Sequence, residues 1–283
     1  MKLSSHVQSR KKTIFDLPLT TPTLSKISKK LSRYGGMIRH IANWPSYLLF
    51  KSGNNKGAFT FRLRNGKSIT VQKQMFPPFK EIFFDRVYLK NLPARLRDMQ
   101  DPVVIDIGAN VGFFSLFALL QFPKAQIFSF EPMPFNYRVL QDYHEGVKEP
   151  RWKIYNEAIA ADESGLTLHY MNEDAFSTMA SVFHQRNEQN SIKVPTQSLS
   201  GFIKSQGLDR VDFLKMDCEG SEYGIFYATE PEDFKRIHFM SIETHRGNEP
   251  EHQHAALVDF LRKQGYQLQE EDYGKVGYIW AHR

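Results

Sequence analysis

The densest chemistry in this sequence lies in LKMDCEGSEYGIF, residues 214–226. Lys215 and Asp217 are two apart, so at the end of a strand they share one face. Glu219 enters the turn, Gly220 permits a sharp reversal, and Glu222 falls in the first turn of the helix that follows. Such a carboxylate group suits removal of a proton from a hydroxyl as that oxygen forms a new bond, which needs an oriented carboxylate or histidine. A second set, SIETH at 241–245, puts Glu243 and His245 on one face of another strand; His245 reads equally as the base or as a loop histidine. Asp217, Glu219 and Glu243 could also hold a hard divalent cation through oxygen. His252 and His254 with Glu249 and Glu251 match no ordered metal-ligand spacing. Cys218, the one cysteine, allows no intrachain disulfide and reads as a small buried hydrophobe.

The other chemical feature is VVIDIGANVGFF, 103–114. An apolar run buried on both faces ends in Asp106 and the loop Gly108-Ala109-Asn110-Val111-Gly112, which opens a helix. Glu131 ends the next strand, where an acidic side chain takes hydrogen bonds from both ribose hydroxyls. Nicotinamide sites usually show G-x-G-x-x-G, because a pyrophosphate lies on the helix N-terminus. Here the spacing is G-x-x-x-G with an aspartate two residues ahead. A carboxylate beside the loop favours a positively charged nucleoside such as S-adenosylmethionine over a pyrophosphate.

These residues need a scaffold that brings strand ends together, and the rest of the chain supplies one. At 283 residues with 41% hydrophobic content, it is long enough for a sizeable core plus an appendage. From Pro102 strands and helices alternate: 103–107, helix 112–121, 126–130, helix 135–144, WKIYNEAIA at 152–160, 211–217, helix 221–228, 237–244, helix 254–266. That pattern argues for a parallel sheet with helices on both faces and ligands at the carboxyl ends of the strands. The close, YQLQEEDYGKVGYIWAHR, reads as an antiparallel edge hairpin around Gly274. The loop YMNEDAFSTMASVFHQRNEQN, 170–190, could close over a substrate.

Ahead of this the sequence divides into a basic tail, 1–23, and an extension, 24–98. Residues 1–60 carry eleven Lys and Arg against Asp16 alone, so the net +6 splits into +10 in the head and −4 in the body. A solvated, mobile tail is the plain reading, with an anionic partner the alternative. Leu24, Ile27, Leu31 and Tyr34 mark an apolar helix face opposite a basic one, for packing on the body or for peripheral membrane contact. Asn65-Gly66 marks a hairpin; a three-residue loop through Lys67 would put Phe61, Leu63, Ile69 and Val71 on one face. Residues 76–98 read as an aromatic helical connector. No segment has the length of a spanning helix or the pattern of a signal peptide, so a cytoplasmic protein is expected.

VVIDIGANVGFFSLFA, FSFEPMPFNYRVL, NEAIAADESG, FLKMDCEGSEYGIF and SIETH together resemble, in order, signature blocks of the FkbM-type S-adenosylmethionine-dependent methyltransferases, over about residues 80–250. The resemblance implies an α/β, Rossmann-like class I methyltransferase domain at 99–283: a mostly parallel seven-stranded sheet with an antiparallel edge hairpin. It implies O-methylation of a sugar, glycan, glycolipid or related natural product. Asp106, Gly108, Asn110 and Gly112 would shape the donor loop, Glu131 would hold the ribose, and Asn156 and Ala158 would lie beside the adenine. Asp217, Glu219 and Glu222 would form the acidic rim, with Lys215 and His245 beside it. A nucleic-acid methyltransferase is disfavoured, since Asp-Cys-Glu-Gly stands where base-methylating enzymes resemble Asp/Asn-Pro-Pro-aromatic. A non-catalytic binding protein with the same fold is the third reading.

Overall fold

The computed structural model describes residues 21–53, 55, 57–170 and 190–283. Most of the expected tail, 1–20, and of the 170–190 loop, 171–189, lies outside the described residues. Helix α1 (Thr21–His40) begins three residues earlier than the sequence boundary at Leu24, and α2 (Trp44–Ser52) follows with a proline in its first turn. The helix packs on the body through its C-terminal half, and of the expected apolar face Leu31 stays exposed. Leu31 is 68% exposed, while Met37 and His40 are buried. The reason is Gly36, where a Cβ would lie 2.0 Å from the Phe84 carbonyl oxygen, so the backbones touch there. His40 Nδ1 lies 2.9 Å from Gly36 O and 3.2 Å from Phe83 O, and Arg33 pairs with Asp85 at 3.0 Å.

Strands β1 (Phe59–Arg62) and β2 (Ser68–Val71) form the hairpin. Phe61 pairs with Ile69, and Leu63 N–H donates to Lys67 O at 2.8 Å, so the loop is Arg64-Asn65-Gly66 and does not include Lys67. The facing is as expected: Phe61, Leu63, Ile69 and Val71 are all buried. The connector is α3 (Phe76–Lys80), a π-turn at Glu81–Asp85, a 3-10 turn at Val87–Leu89 and α4 (Ala94–Arg97). Its rings join the hairpin to the main sheet in one core. Phe61 stacks on Phe79 at 4.3 Å, Phe79 on Phe83 at 4.4 Å, and Phe83 meets Phe117 edge-on at 5.0 Å.

The alternating part runs β3 (Val103–Ile107), α5 (Phe113–Gln121), β4 (Gln126–Phe130), α6 (Pro134–Val147) and β5 (Trp152–Tyr155). The expected single strand at 152–160 is two, because β6 (Ala158–Ala160) leaves the sheet to pair in parallel with β9 (Thr196–Ser198). Between these lies an antiparallel pair, β7 (Leu166–Tyr170) and β8 (Asn190–Val194). Then come α7 (Leu199–Ser205), β10 (Phe213–Met216), α8 (Glu222–Ala228), α9 (Pro231–Arg236), β11 (Phe239–His245), α10 (His254–Lys263), β12 (Gln267–Asp272) and β13 (Val276–His282).

The seven-stranded sheet has the order β12-β13-β11-β10-β3-β4-β5, parallel except where β13 pairs with β11 and β12. Strand order reverses between β3 and β10, and a crevice lies at the carboxyl ends of the strands there. At this point the two strand ends nearly touch. A Cβ on Gly108, whose φ is +72°, would sit 1.7 Å from the Asp217 carbonyl oxygen. Gly108→Ala is therefore expected to cost about 3 kcal/mol and to lower Tm by on the order of 10 °C, read by thermal denaturation; an unchanged Tm would show that the tips are not so close. No helix among the described residues is long and apolar enough to cross a membrane.

Candidate active site

The crevice at the reversal point is a cleft of about 640 Å³. One wall is the β3–α5 loop, with Gly108 and Asn110; the opposite wall is apolar, with Ala158, Ile159, Leu166 and Leu168; Glu131, Asp217 and Glu219 contribute carboxylates. Glu131 is 4% exposed and rigidly held. Its Oε2 accepts from Asn110 N–H at 2.7 Å, and its Oε1 from Met133 N–H at 2.9 Å and Asn136 Nδ2 at 3.4 Å. Burial nevertheless pushes its carboxyl up to about 7, against the two backbone N–H bonds.

Behind the loop, Asp106 is fully buried and does not line the cleft. Its Oδ2 accepts from Ser115 Oγ at 2.7 Å, and its Oδ1 pairs with Lys215 Nζ at 3.3 Å. Lys215 is itself buried and donates to Gly108 O at 2.6 Å and Ile107 O at 3.3 Å. This pair fixes the loop from beneath, and burial holds the Asp106 carboxyl above its ordinary range, with Lys215 opposing. Gly112 packs on Leu140 and Trp152, away from the cleft. Asn156 is also outside the cleft lining: its amide donates to Glu131 O at 2.9 Å and Pro132 O at 3.2 Å and braces the β4 tip, while Ala158 does line the wall.

At the β10 end the carboxylates meet two groups that satisfy them. Tyr88 OH lies 2.8 Å from Asp217 Oδ2 and 3.1 Å from Glu243 Oε2. One phenol proton cannot serve both oxygens. Burial, then the charges of Asp217 and Glu81, hold the Glu243 carboxyl well above the usual carboxylate range, while the hydrogen bond from Tyr88 opposes that shift. Lys215 Nζ lies 3.8 Å from the same Asp217 Oδ2.

His245 is fixed by Glu222, which is fully buried and does not line the cleft. Glu222 Oε1 accepts from His245 N–H and lies 3.1 Å from Nδ1; Oε2 accepts from Gly220 N–H at 2.8 Å. His245 Nε2 then faces Glu219 Oε2 at 3.4 Å and Glu243 Oε1 at 3.8 Å. Burial disfavours the charged ring, but the hydrogen bond and charge of Glu222 outweigh it and raise His245 to about 10. Its ring is thereby held among the Glu222, Glu219 and Glu243 carboxylates. Burial pushes Glu219 up to about 7. The Cys218 thiol is pushed well up by burial and by Glu222, in keeping with a small apolar role.

Asp217, Glu243 and His245 offer ligand atoms within 4.8 Å of one another, and this set could hold a divalent cation. It replaces the trio Asp217, Glu219 and Glu243 taken from sequence. In the structure that charge is met by the His245 ring and the Tyr88 phenol. His252 and His254 do not join it: His254 Nδ1 is 2.8 Å from Thr244 Oγ1 and its Nε2 3.0 Å from Glu270 Oε2. Tyr88 and Asn136 are the participants that sequence reasoning missed. Tyr88 lies 129 positions from Asp217 with no local signal; Asn136, five residues after Glu131, fell inside a recognised block and was passed over.

The methyltransferase FkbM domain matches residues 106–268. The chain is similar to methyltransferase sdnD of Sordaria araneosa, 28% identical over 200 residues that cover 59% of this chain and 73% of the relative. It is similar also to 31-O-demethyl-FK506 methyltransferase FkbM of Streptomyces tacrolimicus, 28% identical over 218 residues, covering 66% and 81%. Among solved structures, the METTL16 methyltransferase domain aligns with a TM-score of 0.41 at 12% identity, covering 79% of this chain and 85% of that one.

Proposed function

Because the chain belongs to the FkbM family of methyltransferases, we propose that it moves the methyl group of S-adenosylmethionine to a hydroxyl of a sugar or related small-molecule acceptor. The observation that carries this reading is Asp217. It lines the cleft that contains Glu131 and also a second cavity, of about 390 Å³, on the other side of the β3–α5 loop. A carboxylate shared by two cavities is placed between a donor and an acceptor. The 31-O-demethyl substrate in the name of the FK506 relative supports oxygen as the atom methylated.

The cleft fits the donor. Its loop lets backbone approach closely at Gly108, Glu131 offers a fixed carboxylate to a ribose diol, and Ile159, Leu166 and Leu168 offer an apolar wall to a base. When bound, S-adenosylmethionine supplies a methyl group on a positively charged sulfur, which becomes a neutral thioether as the new carbon–oxygen bond forms. Asp217 and Glu219 set negative charge at that end of the cleft. The Asp217 carboxylate takes the hydroxyl proton, while Tyr88 and Lys215 hold its Oδ2 and fix its orientation. His245 and Glu222 keep the strand ends in register behind it.

Calorimetric titration with S-adenosylhomocysteine and, in parallel, NAD tests the donor. Binding of the first alone is expected; binding of NAD would overturn the reading. Tyr88→Phe removes the clamp on Asp217 and the hydroxyl that reaches Glu243. Methyl transfer is expected to fall by about 10- to 100-fold, with donor affinity within a few-fold of wild type. Equal losses in donor affinity and turnover would mean that Tyr88 only supports the fold.

A further inference from the structure

Three cavities follow one another away from Asp217. The 390 Å³ cavity beside it is walled by the connector, through Pro78, Glu81, Ile82 and Tyr88. Glu81 also lines a surface groove with Tyr273 and Tyr278 of the C-terminal hairpin. Arg33 and Lys80 line that groove and, beyond it, a cavity of about 510 Å³ between α1, α2 and the connector. The walls of the groove and of the last cavity lie outside residues 106–268, whereas the cavity beside Asp217 joins the connector to the matched domain.

The last cavity differs from the others in charge. Lys30, Arg33, Lys51 and Lys80 line it, with Tyr34 and Tyr47 among its walls and no carboxylate. Among the described residues, Arg33 has Asp85 as a partner at 3.0 Å, while Lys30, Lys51 and Lys80 have no carboxylate within ion-pair distance. Burial, then the neighbouring charges of Arg33 and Lys51, hold the Lys80 ammonium below its ordinary range, against the opposing charge of Asp85. Four convergent cations, one a guanidinium fixed in place by Asp85, suit the oxygens of a phosphate or pyrophosphate. By contrast, the cavity beside Asp217 carries Glu81 and Asp217 against Lys215, with apolar walls from Pro78, Ile82 and Phe113, which suits a neutral hydroxylated group.

Resting on the methyltransferase reading, we propose that the acceptor carries a phosphate or pyrophosphate: Lys30, Arg33, Lys51 and Lys80 bind that anion, and the groove past Glu81 leads the hydroxylated part to Asp217. The acceptor is then an activated or lipid-linked glycosyl phosphate rather than a free sugar. The reaction that supplies it must be a phosphoryl or glycosyl-phosphate transfer, since methyl transfer leaves the anion untouched.

The test titrates full-length protein, saturated with S-adenosylhomocysteine, with sodium pyrophosphate at low ionic strength. The wild type is expected to bind, and Lys51→Ala/Lys80→Ala to bind at least about tenfold more weakly, with S-adenosylhomocysteine affinity unchanged. Both lysines have exposed or half-exposed side chains, so folding of the variant is expected and is checked by its Tm. No pyrophosphate binding by the wild type, or equal binding by the variant, overturns the proposal. Pyrophosphate binding without any S-adenosylhomocysteine binding would instead bring down the donor assignment on which it rests. Co-sedimentation with phosphatidylcholine vesicles, with and without phosphatidylglycerol, separates the sources. Retention on the anionic vesicles that pyrophosphate displaces identifies a membrane-held phosphate; no retention with pyrophosphate binding intact identifies a soluble glycosyl phosphate.

Discussion

Asp217→Ala is expected to lower methyl transfer by about a thousandfold or more while leaving S-adenosylhomocysteine affinity within about threefold. Asp217 lines both cavities and its Oδ2 is held by Tyr88 at 2.8 Å and Lys215 at 3.8 Å, so the substitution removes the carboxylate proposed as the base. It also leaves Lys215 with Asp106 as its remaining carboxylate, at 3.3 Å, which keeps the loop anchored. Donor binding and turnover should therefore separate. Single-turnover transfer of labelled methyl, with calorimetry for the donor, reads the two apart. Turnover that survives the change would remove Asp217 from the chemistry and move attention to Glu219, whose carboxyl lies at about 7 and lines the same cleft.

Glu131→Gln should have the opposite signature, a loss of donor affinity of about a hundredfold, on the order of 3 kcal/mol. A glutamine matches the shape of Glu131 but carries an NH₂ where the carboxylate accepts from Asn110 N–H or Met133 N–H, so one of those donors is opposed by another donor. Two ribose hydroxyls would also lose a charged acceptor. The wild-type affinity should depend on pH for the same reason. Burial raises the folded carboxyl to about 7, so the ionised form that accepts from hydroxyls accumulates only as pH rises through that value. Affinity for S-adenosylhomocysteine is expected to increase from about pH 6 to about pH 8 in the wild type and to stay flat in Glu131→Gln. The stability of the unliganded protein carries the reverse sign. A folded carboxyl above its unfolded value of 4.5 holds its proton more tightly in the native state, so the contribution of Glu131 is full below that value and is lost as pH rises through about 7. A flat affinity profile in the wild type would show that Glu131 does not face the ribose.

The sequence by itself determined the parallel sheet and the chain segments that meet at its carboxyl edge, while the strand order and its reversal came from the structure. Strand periodicity, the GANVG loop and the DCEGSE turn are local patterns, and local patterns suffice to say that Asp106, Glu131, Asp217 and Glu243 end parallel strands, because a parallel sheet aligns its carboxyl ends at one edge. Tertiary structure decided what each of these groups does. Asp106 and Glu222 share residue type with Glu131 and Asp217, yet both are fully buried behind the cleft and act on Lys215 and His245. Burial and partners, which no spacing rule encodes, hold the His245 ring among the Glu222, Glu219 and Glu243 carboxylates. The connector shows the limit most clearly. Its aromatic residues were legible as a packed segment, but Tyr88 reaches Asp217 and Glu243 across 129 and 155 positions. Leu31, on the expected apolar face of α1, is exposed for a related reason, since contact of backbone at Gly36 with Phe84 overrides its preference for burial. Periodicity reports the forces within one element, whereas these choices depend on the shape of the surface that element meets, and only the folded chain supplies that surface.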